Sequence, residues 1–179
     1  MAEVAEIDAL MRPYQGKVPG ASVLVVRRGE QVLRRAYGQA DLESDVPATP
    51  LTNYRLASLT KQFTAAAIAL LVEARRLGFD DLAGRWLPEL PASAGAIRLR
   101  HLLTHTSGLI DYEDLIPAGT EVALRDADVL GLLAAEPRLY FAPGTGFRYS
   151  NGAYALLALI VERAAGIDFA SFLRERIFA

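Results

Sequence analysis

Ser58-Leu59-Thr60-Lys61 sets a hydroxyl and an amine three residues apart, and side chains at that spacing on a helix share a face. The segment opens the strongest Ala/Leu-rich run of the chain, so both groups fall in a first helical turn. There the positive end of the helix dipole favours an oxyanion near the serine and a neutral amine at the lysine. A free lysine titrates at about 10.4, so burial and such a dipole are the means by which it serves as a base. A serine activated by lysine instead of histidine is an established nucleophile. With seven serines and only two lysines, Lys17 and Lys61, chance rarely produces this spacing. Every other fixed cation is arginine, which in practice keeps its proton. Taken alone, the motif is equally compatible with Ser58 as a helix N-cap and Lys61 as a solvated first-turn residue.

Tyr149-Ser150-Asn151 follows the tight turn Ala142-Pro143-Gly144-Thr145-Gly146 and precedes a helical run. Residues two apart on an extended loop project to one side. The phenol of Tyr149 suits a proton shuttle if a cation lowers its pKa, and the amide of Asn151 can hold a lysine and a carbonyl together. The plainer reading is that Ser150 or Asn151 caps the helix and Tyr149 is a half-buried aromatic. His101 and His105 are spaced like a metal pair, but Leu102 stands where a zincin has glutamate. They are expected to be hydrogen-bonded structural histidines, with no metal site. Gly144 and Gly146 form a GxG without a P-loop lysine, and the carboxylates Asp111, Glu113 and Asp114 read as a solvated loop face.

The elements that must position these residues come in two parts. Val4, Ile7, Leu10, Met11 and Tyr14 predict an amphipathic helix over 3–15, and Ala21–Arg28 and Gln31–Tyr37 predict a hairpin joined across Gly29-Glu30. Gly38–Pro50 is a turn-rich connector. Helices are expected at 58–76, 99–104, 126–135, 152–165 and 168–177, separated by irregular segments at 78–97, 105–124 and 137–150. Residues 1–57 are thus the helix and hairpin, and 58–179 a helical region. Two strands alone make no stable sheet in water. The expectation is an incomplete sheet in an unfinished chain that stops inside a helix at Phe178-Ala179.

The chain has 179 residues, 52% of them hydrophobic and 22% charged, which excludes both a disordered segment and a multi-span membrane protein. It has no cysteine, which removes disulfides, thiolate metal sites and cysteine nucleophiles. The net charge of −2 and the scattered arginines argue against nucleic acid as a partner. Apolar stretches such as Ala65–Val72 fall far short of the roughly 20 residues that span a bilayer. Residues 1–15 lack the basic and apolar regions of a signal peptide, so the expected location is the cytoplasm.

Four segments in order now carry a resemblance: Tyr54-Arg55-Leu56-Ala57 leading into Ser58–Lys61, His101–Leu109, Phe141-Ala142-Pro143-Gly144, and Tyr149-Ser150-Asn151-Gly152. From about Val18 to the end, the chain resembles the serine β-lactamase-related family of class C β-lactamases, D-Ala-D-Ala carboxypeptidases and β-lactamase-like esterases. The resemblance implies an α+β fold, an α/β sandwich of the β-lactamase/transpeptidase type. It implies Ser58 as the acylated nucleophile and Lys61 as its proton acceptor or electrostatic activator. Tyr149 is then the partner base that protonates the leaving group, and Asn151 bonds both Lys61 and the substrate carbonyl. The Ser58 N–H supplies one oxyanion donor. His101–Leu109 packs near the cleft without a chemical role. The family's Lys-Thr-Gly or His-x-Gly strand, source of the second oxyanion donor, is not among these residues.

The function so implied is a serine hydrolase acting through an acyl-enzyme on esters, β-lactams or D-amino-acid peptides, with esters slightly favoured and no cofactor or metal. Its partner is a small ester or amide substrate. A complementing C-terminal segment or a second copy is expected to cover the open sheet. The alternative is a catalytically silent fragment that binds a ligand or partner through the open cleft.

Overall fold

In the computed structural model, which describes residues 2–178, the first helix α1 (Ala2–Leu10) stops well before residue 15. Pro13 is the reason. It has no N–H to donate, its ring disfavours helix on its N-terminal side, and only a 3₁₀ turn, Arg12–Tyr14, follows. Leu10 and Tyr14, expected on the apolar face, are exposed. Strands β1 (Ala21–Arg27) and β2 (Glu30–Tyr37) pair antiparallel from Ala21 opposite Tyr37 to Arg27 opposite Glu30. The turn is Arg28-Gly29, one residue earlier than the sequence suggests. Both residues have positive φ, 53° and 83°, the conformation that matches the twist of a two-residue hairpin. A bulge between Val25 and Val26 shifts the register. Asp8 on α1 accepts from the Tyr37 hydroxyl at 2.7 Å and from Arg35, tying helix to hairpin. These bonds, Arg35 first, hold the Asp8 carboxyl below the usual range.

The connector holds a second, smaller ribbon, β3 (Gln39–Asp41) with β4 (Val46–Pro47). Among the described residues both sheets have two strands. Leu24 and Val26 of β1 stay exposed, as the expectation of an open sheet requires.

The chain divides into two compact units at Leu56/Ala57, and the second is built around one helix. Helix α6 (Asn151–Ala165) buries Leu156, Leu157, Ile160 and Val161, and it is packed by α2 (Thr60–Glu73), α4 (Leu99–Leu103), α5 (Asp126–Ala134) and α7 (Phe169–Arg176). Each such side chain contributes about 1.5–3 kcal/mol by leaving water. Small residues let neighbours close in: a methyl group on Gly152 would sit 3.2 Å from Leu133 Cδ1. The helix starts at Ser150, whose Oγ accepts the Ala153 N–H, and ends at Gly166 with φ 75°. A short helix, α3 (Ala83–Trp86), and 3₁₀ turns at Ala92–Ala96 and Tyr112–Leu115 lie in stretches expected to be irregular.

Helix α7 follows its cap Asp168 and ends at Arg176, so Phe178, expected inside a helix, lies beyond it. Phe178 instead lies edge-on to Phe63, centroids 5.1 Å apart, while Ala179 is outside the described residues. The architecture is α+β. Among the described residues no helix is long and apolar enough to cross a membrane.

Candidate active site

The helix that carries Lys61 does not start at Ser58. Ala57 adopts φ 48°, a left-handed conformation that costs a non-glycine residue about 1–2 kcal/mol, and Ala57–Leu59 is a 3₁₀ turn feeding α2 at Thr60. The N-cap position of α2 falls to Leu59, which makes no side-chain bond. Ser58 is therefore not the cap of this helix, and its hydroxyl is turned elsewhere. It shares a 2.5 Å hydrogen bond with the Tyr149 hydroxyl and receives a long 3.4 Å bond from Lys61 Nζ.

Lys61 is half-buried, not a solvated surface residue. Its Nζ donates to Asn151 Oδ1 at 2.7 Å and lies 4.7 Å from the Tyr149 ring centroid and 5.5 Å from that of Tyr154, within cation–π range. All four sequence-predicted residues, Ser58, Lys61, Tyr149 and Asn151, thus meet in one place. Hydrogen bonding with Lys61, and then with Ser58, holds the Tyr149 phenol below the ordinary tyrosine value. Burial and the Glu113 carboxylate pull the other way.

Tyr149 is placed by the strand-like run before α6. Tyr140 N–H bonds to Gly108 O at 2.7 Å, Gly144 N–H to Thr106 O at 2.8 Å, and Arg148 N–H to His105 O at 3.0 Å. The two backbones approach so closely that a Cβ on Gly108 would lie 2.0 Å from Phe141 O, and Gly108 also has φ 76°. This is the physical content of the His101–Leu109 segment: it sets the register of the Tyr149 loop. Of its two histidines, one caps a helix and the other serves the same end. His101 Nδ1 accepts the Arg98 N–H at 3.2 Å at the start of α4. His105 Nδ1 accepts the Ser150 N–H at 3.2 Å, and its ring lies 4.6 Å from the Tyr149 ring and 5.2 Å from that of Tyr154. Burial, then the nearby Lys61, depresses the His105 pKa, so the imidazole is held neutral. No cluster of three metal-binding side chains occurs among the described residues.

Glu113 and Asp114 are exposed and Asp111 is half-buried, so this loop face meets solvent as expected, but each carboxylate also has a partner in a distant segment. Asp111 pairs with Arg148 at 3.2 Å, Asp114 accepts from the Tyr140 hydroxyl at 3.0 Å, and Glu113 Oε1 accepts from Asn151 Nδ2 at 2.7 Å. Tyr154 is a site neighbour that sequence reasoning left out, while Glu113 and His105 were noticed there without a part in the site. The three closely spaced acids were a visible signal for Glu113, but their partners lie in a distant segment. Beside Lys61 and Asn151 opens a cavity of about 220 Å³ whose walls include Thr64, Tyr112, Asp126 and Phe169. Burial, then Glu162, raises the Asp126 carboxyl above its usual value.

The chain is similar to penicillin-binding protein 4* of Bacillus subtilis strain 168, with 38% identity over 161 residues, 88% of this chain and 35% of the relative. It is similar to esterase EstB of Burkholderia gladioli, with 41% identity over 184 residues, 93% of this chain and 46% of the relative. Its fold matches the structure of the octameric penicillin-binding protein homologue from Pyrococcus abyssi at a TM-score of 0.80 and 28% identity. That match takes in 98% of this chain and 41% of the other. The chain therefore spans less than half the length of these relatives. The family model described as Beta-lactamase matches residues 6–179, and the chain belongs to that family.

Proposed function

We propose that the chain carries the nucleophile half of a serine hydrolase that works through an acyl-enzyme on small esters or amides, with esters slightly favoured. The 2.5 Å bond between Ser58 and a Tyr149 phenol held below its ordinary pKa carries this reading. The phenolate oxygen of Tyr149 takes the proton of Ser58 as Oγ bonds to the substrate carbonyl carbon. Tyr149 O–H then returns that proton to the departing alcohol or amine as the carbonyl–heteroatom bond breaks. Water reverses the sequence: it loses a proton to Tyr149, attacks the acyl carbon, and Ser58 leaves with the proton.

Lys61 favours the phenolate through its hydrogen bond and charge, and Asn151 Oδ1 holds Lys61 in place. The Ser58 N–H is one oxyanion donor, and a donor of this kind is worth about 3–4 kcal/mol at the transition state. Similarity to an enzyme named as an esterase supports the ester preference, and similarity to a penicillin-binding protein supports a wider range of acyl donors. The exposed Leu24 and Val26 of β1 support a complementing segment or second copy over that face.

The test is the intact mass of the purified chain before and after a fluorophosphonate probe. A single adduct mapped to Ser58 is expected. A folded chain that takes up no probe would instead favour the silent, ligand-binding alternative.

A further inference from the structure

Asn151 sits between a cation and an anion. Lys61 Nζ donates to its Oδ1 and its Nδ2 donates to Glu113 Oε1, both at 2.7 Å. Only one orientation of the amide satisfies both neighbours. Rotated by half a turn, it would set NH₂ against the lysine and a carbonyl oxygen against the carboxylate. Glu113 belongs to the 3₁₀ turn Tyr112–Leu115, and its neighbours hold the same distant loop. Asp111 grips Arg148, Asp114 grips the Tyr140 hydroxyl, and the Arg148 guanidinium stacks 3.8 Å from the Tyr140 ring centroid. Three carboxylates within four residues thus each hold one residue of the stretch Tyr140–Asn151.

We propose that Glu113 is the positioning residue for Asn151: it fixes the direction of the amide, and so the seat of Lys61 beside Ser58. Asp111 and Asp114 pin the loop that brings Tyr149 and Asn151 to that seat. The proposal rests on the acyl-transfer reading of this site, and it adds a residue which acts through another. A carboxylate suits the task because it only accepts, so it cannot be satisfied by the inverted amide. With the Oδ1 edge given to Lys61 and one Nδ2 proton to Glu113, the second Nδ2 proton is the one left for a substrate carbonyl.

The experiment compares wild type, Glu113→Ala and Glu113→Gln by two readouts: the rate of fluorophosphonate labelling of Ser58, and the side-chain amide resonances of Asn151 in ¹⁵N-labelled protein. Glu113→Ala is expected to label about tenfold more slowly or worse, because a misplaced group at a reacting centre is costly. Glu113→Gln, which still offers an acceptor, is expected to rescue most of that loss. In an Asn151→Ala background, Glu113→Ala is expected to cost nothing further, since the two act as one unit. Both Glu113 variants also move the rise of labelling with pH to lower pH, because Glu113 no longer opposes the phenolate.

The proposal is overturned if Glu113→Ala labels as fast as wild type, if Gln and Ala lose equally, or if the loss persists undiminished on Asn151→Ala. If wild type labels nowhere, the acyl-transfer reading fails. The amide resonances then decide the positioning by themselves. Resonances of Asn151 that shift and exchange faster in Glu113→Ala support it, and resonances identical to wild type overturn it.

Discussion

The Tyr149 hydroxyl lies 2.5 Å from Ser58 Oγ, although 91 residues separate the two in the chain. That contact joins the turn before α2 to the loop before α6. Neither residue has a comparable partner within its own segment, so the pair exists only because α2 and α6 pack against each other.

Replacing Ser58 by Ala removes the atom to be acylated and no helix cap. Fluorophosphonate labelling should vanish while helical circular dichroism and the melting temperature stay at wild-type values. An adduct that persists would take Ser58 out of the role of nucleophile.

Tyr149→Phe keeps the ring beside His105 and Lys61 but deletes the proton acceptor. Acylation of Ser58 should fall by about 10²- to 10⁴-fold, the usual worth of a positioned general base, with stability nearly unchanged. The wild-type rate should rise with pH, on a limb below that of free tyrosine, since the Tyr149 pKa is lowered and the deprotonated form is the base. Stopped-flow or quenched labelling across pH reads both.

Lys61→Arg keeps the cation, but its planar guanidinium cannot take the ammonium's place at 2.7 Å from Asn151 Oδ1 while also facing Ser58. It should lose at least about 100-fold in labelling rate. Substantial retained acylation would mean that the residue acts through its charge alone.

His105 links the site to acid pH. Its folded pKa is depressed, so the stability it contributes is fully present above the unfolded value of about 6.5 and is lost as pH falls through the lower folded value. Protonation removes the acceptor of the Ser150 N–H and adds charge near Lys61. Thermal unfolding from pH 8 to pH 5 should show a loss of stability that His105→Asn weakens; an unchanged profile in the variant would assign the loss to another group.

Gly108→Ala tests the register of the loop. The added methyl would meet Phe141 O at 2.0 Å at a position with φ 76°, so destabilisation should exceed about 2 kcal/mol in denaturant titrations. The hairpin turn offers a control: Gly29 also has positive φ, but open space surrounds its missing Cβ. Gly29→Ala should therefore cost less.

Much of this molecule follows from local chemistry. Two β-rich runs around Gly29 made the hairpin legible to within one residue of its turn, Ser150 and Gly166 marked the ends of α6, and Asp168 marked the start of α7. Ser58, Lys61, Tyr149 and Asn151 stood out because residue type and short spacing are properties of a segment. Pro13 was equally visible, yet the apolar spacing around it predicted a longer helix than proline permits. What tertiary structure decided was partnership. The N-cap reading of Ser58 and the solvated reading of Lys61 were each consistent with their own segments. They gave way because hydrogen bonds to residues 90 and 91 positions away offered those groups better partners than water or their own helix ends, while Asp111, Glu113 and Asp114 found theirs 26 to 38 positions away. Periodicity and capping are short-range and can be read along the chain, whereas a side chain's partner depends on which helices pack together.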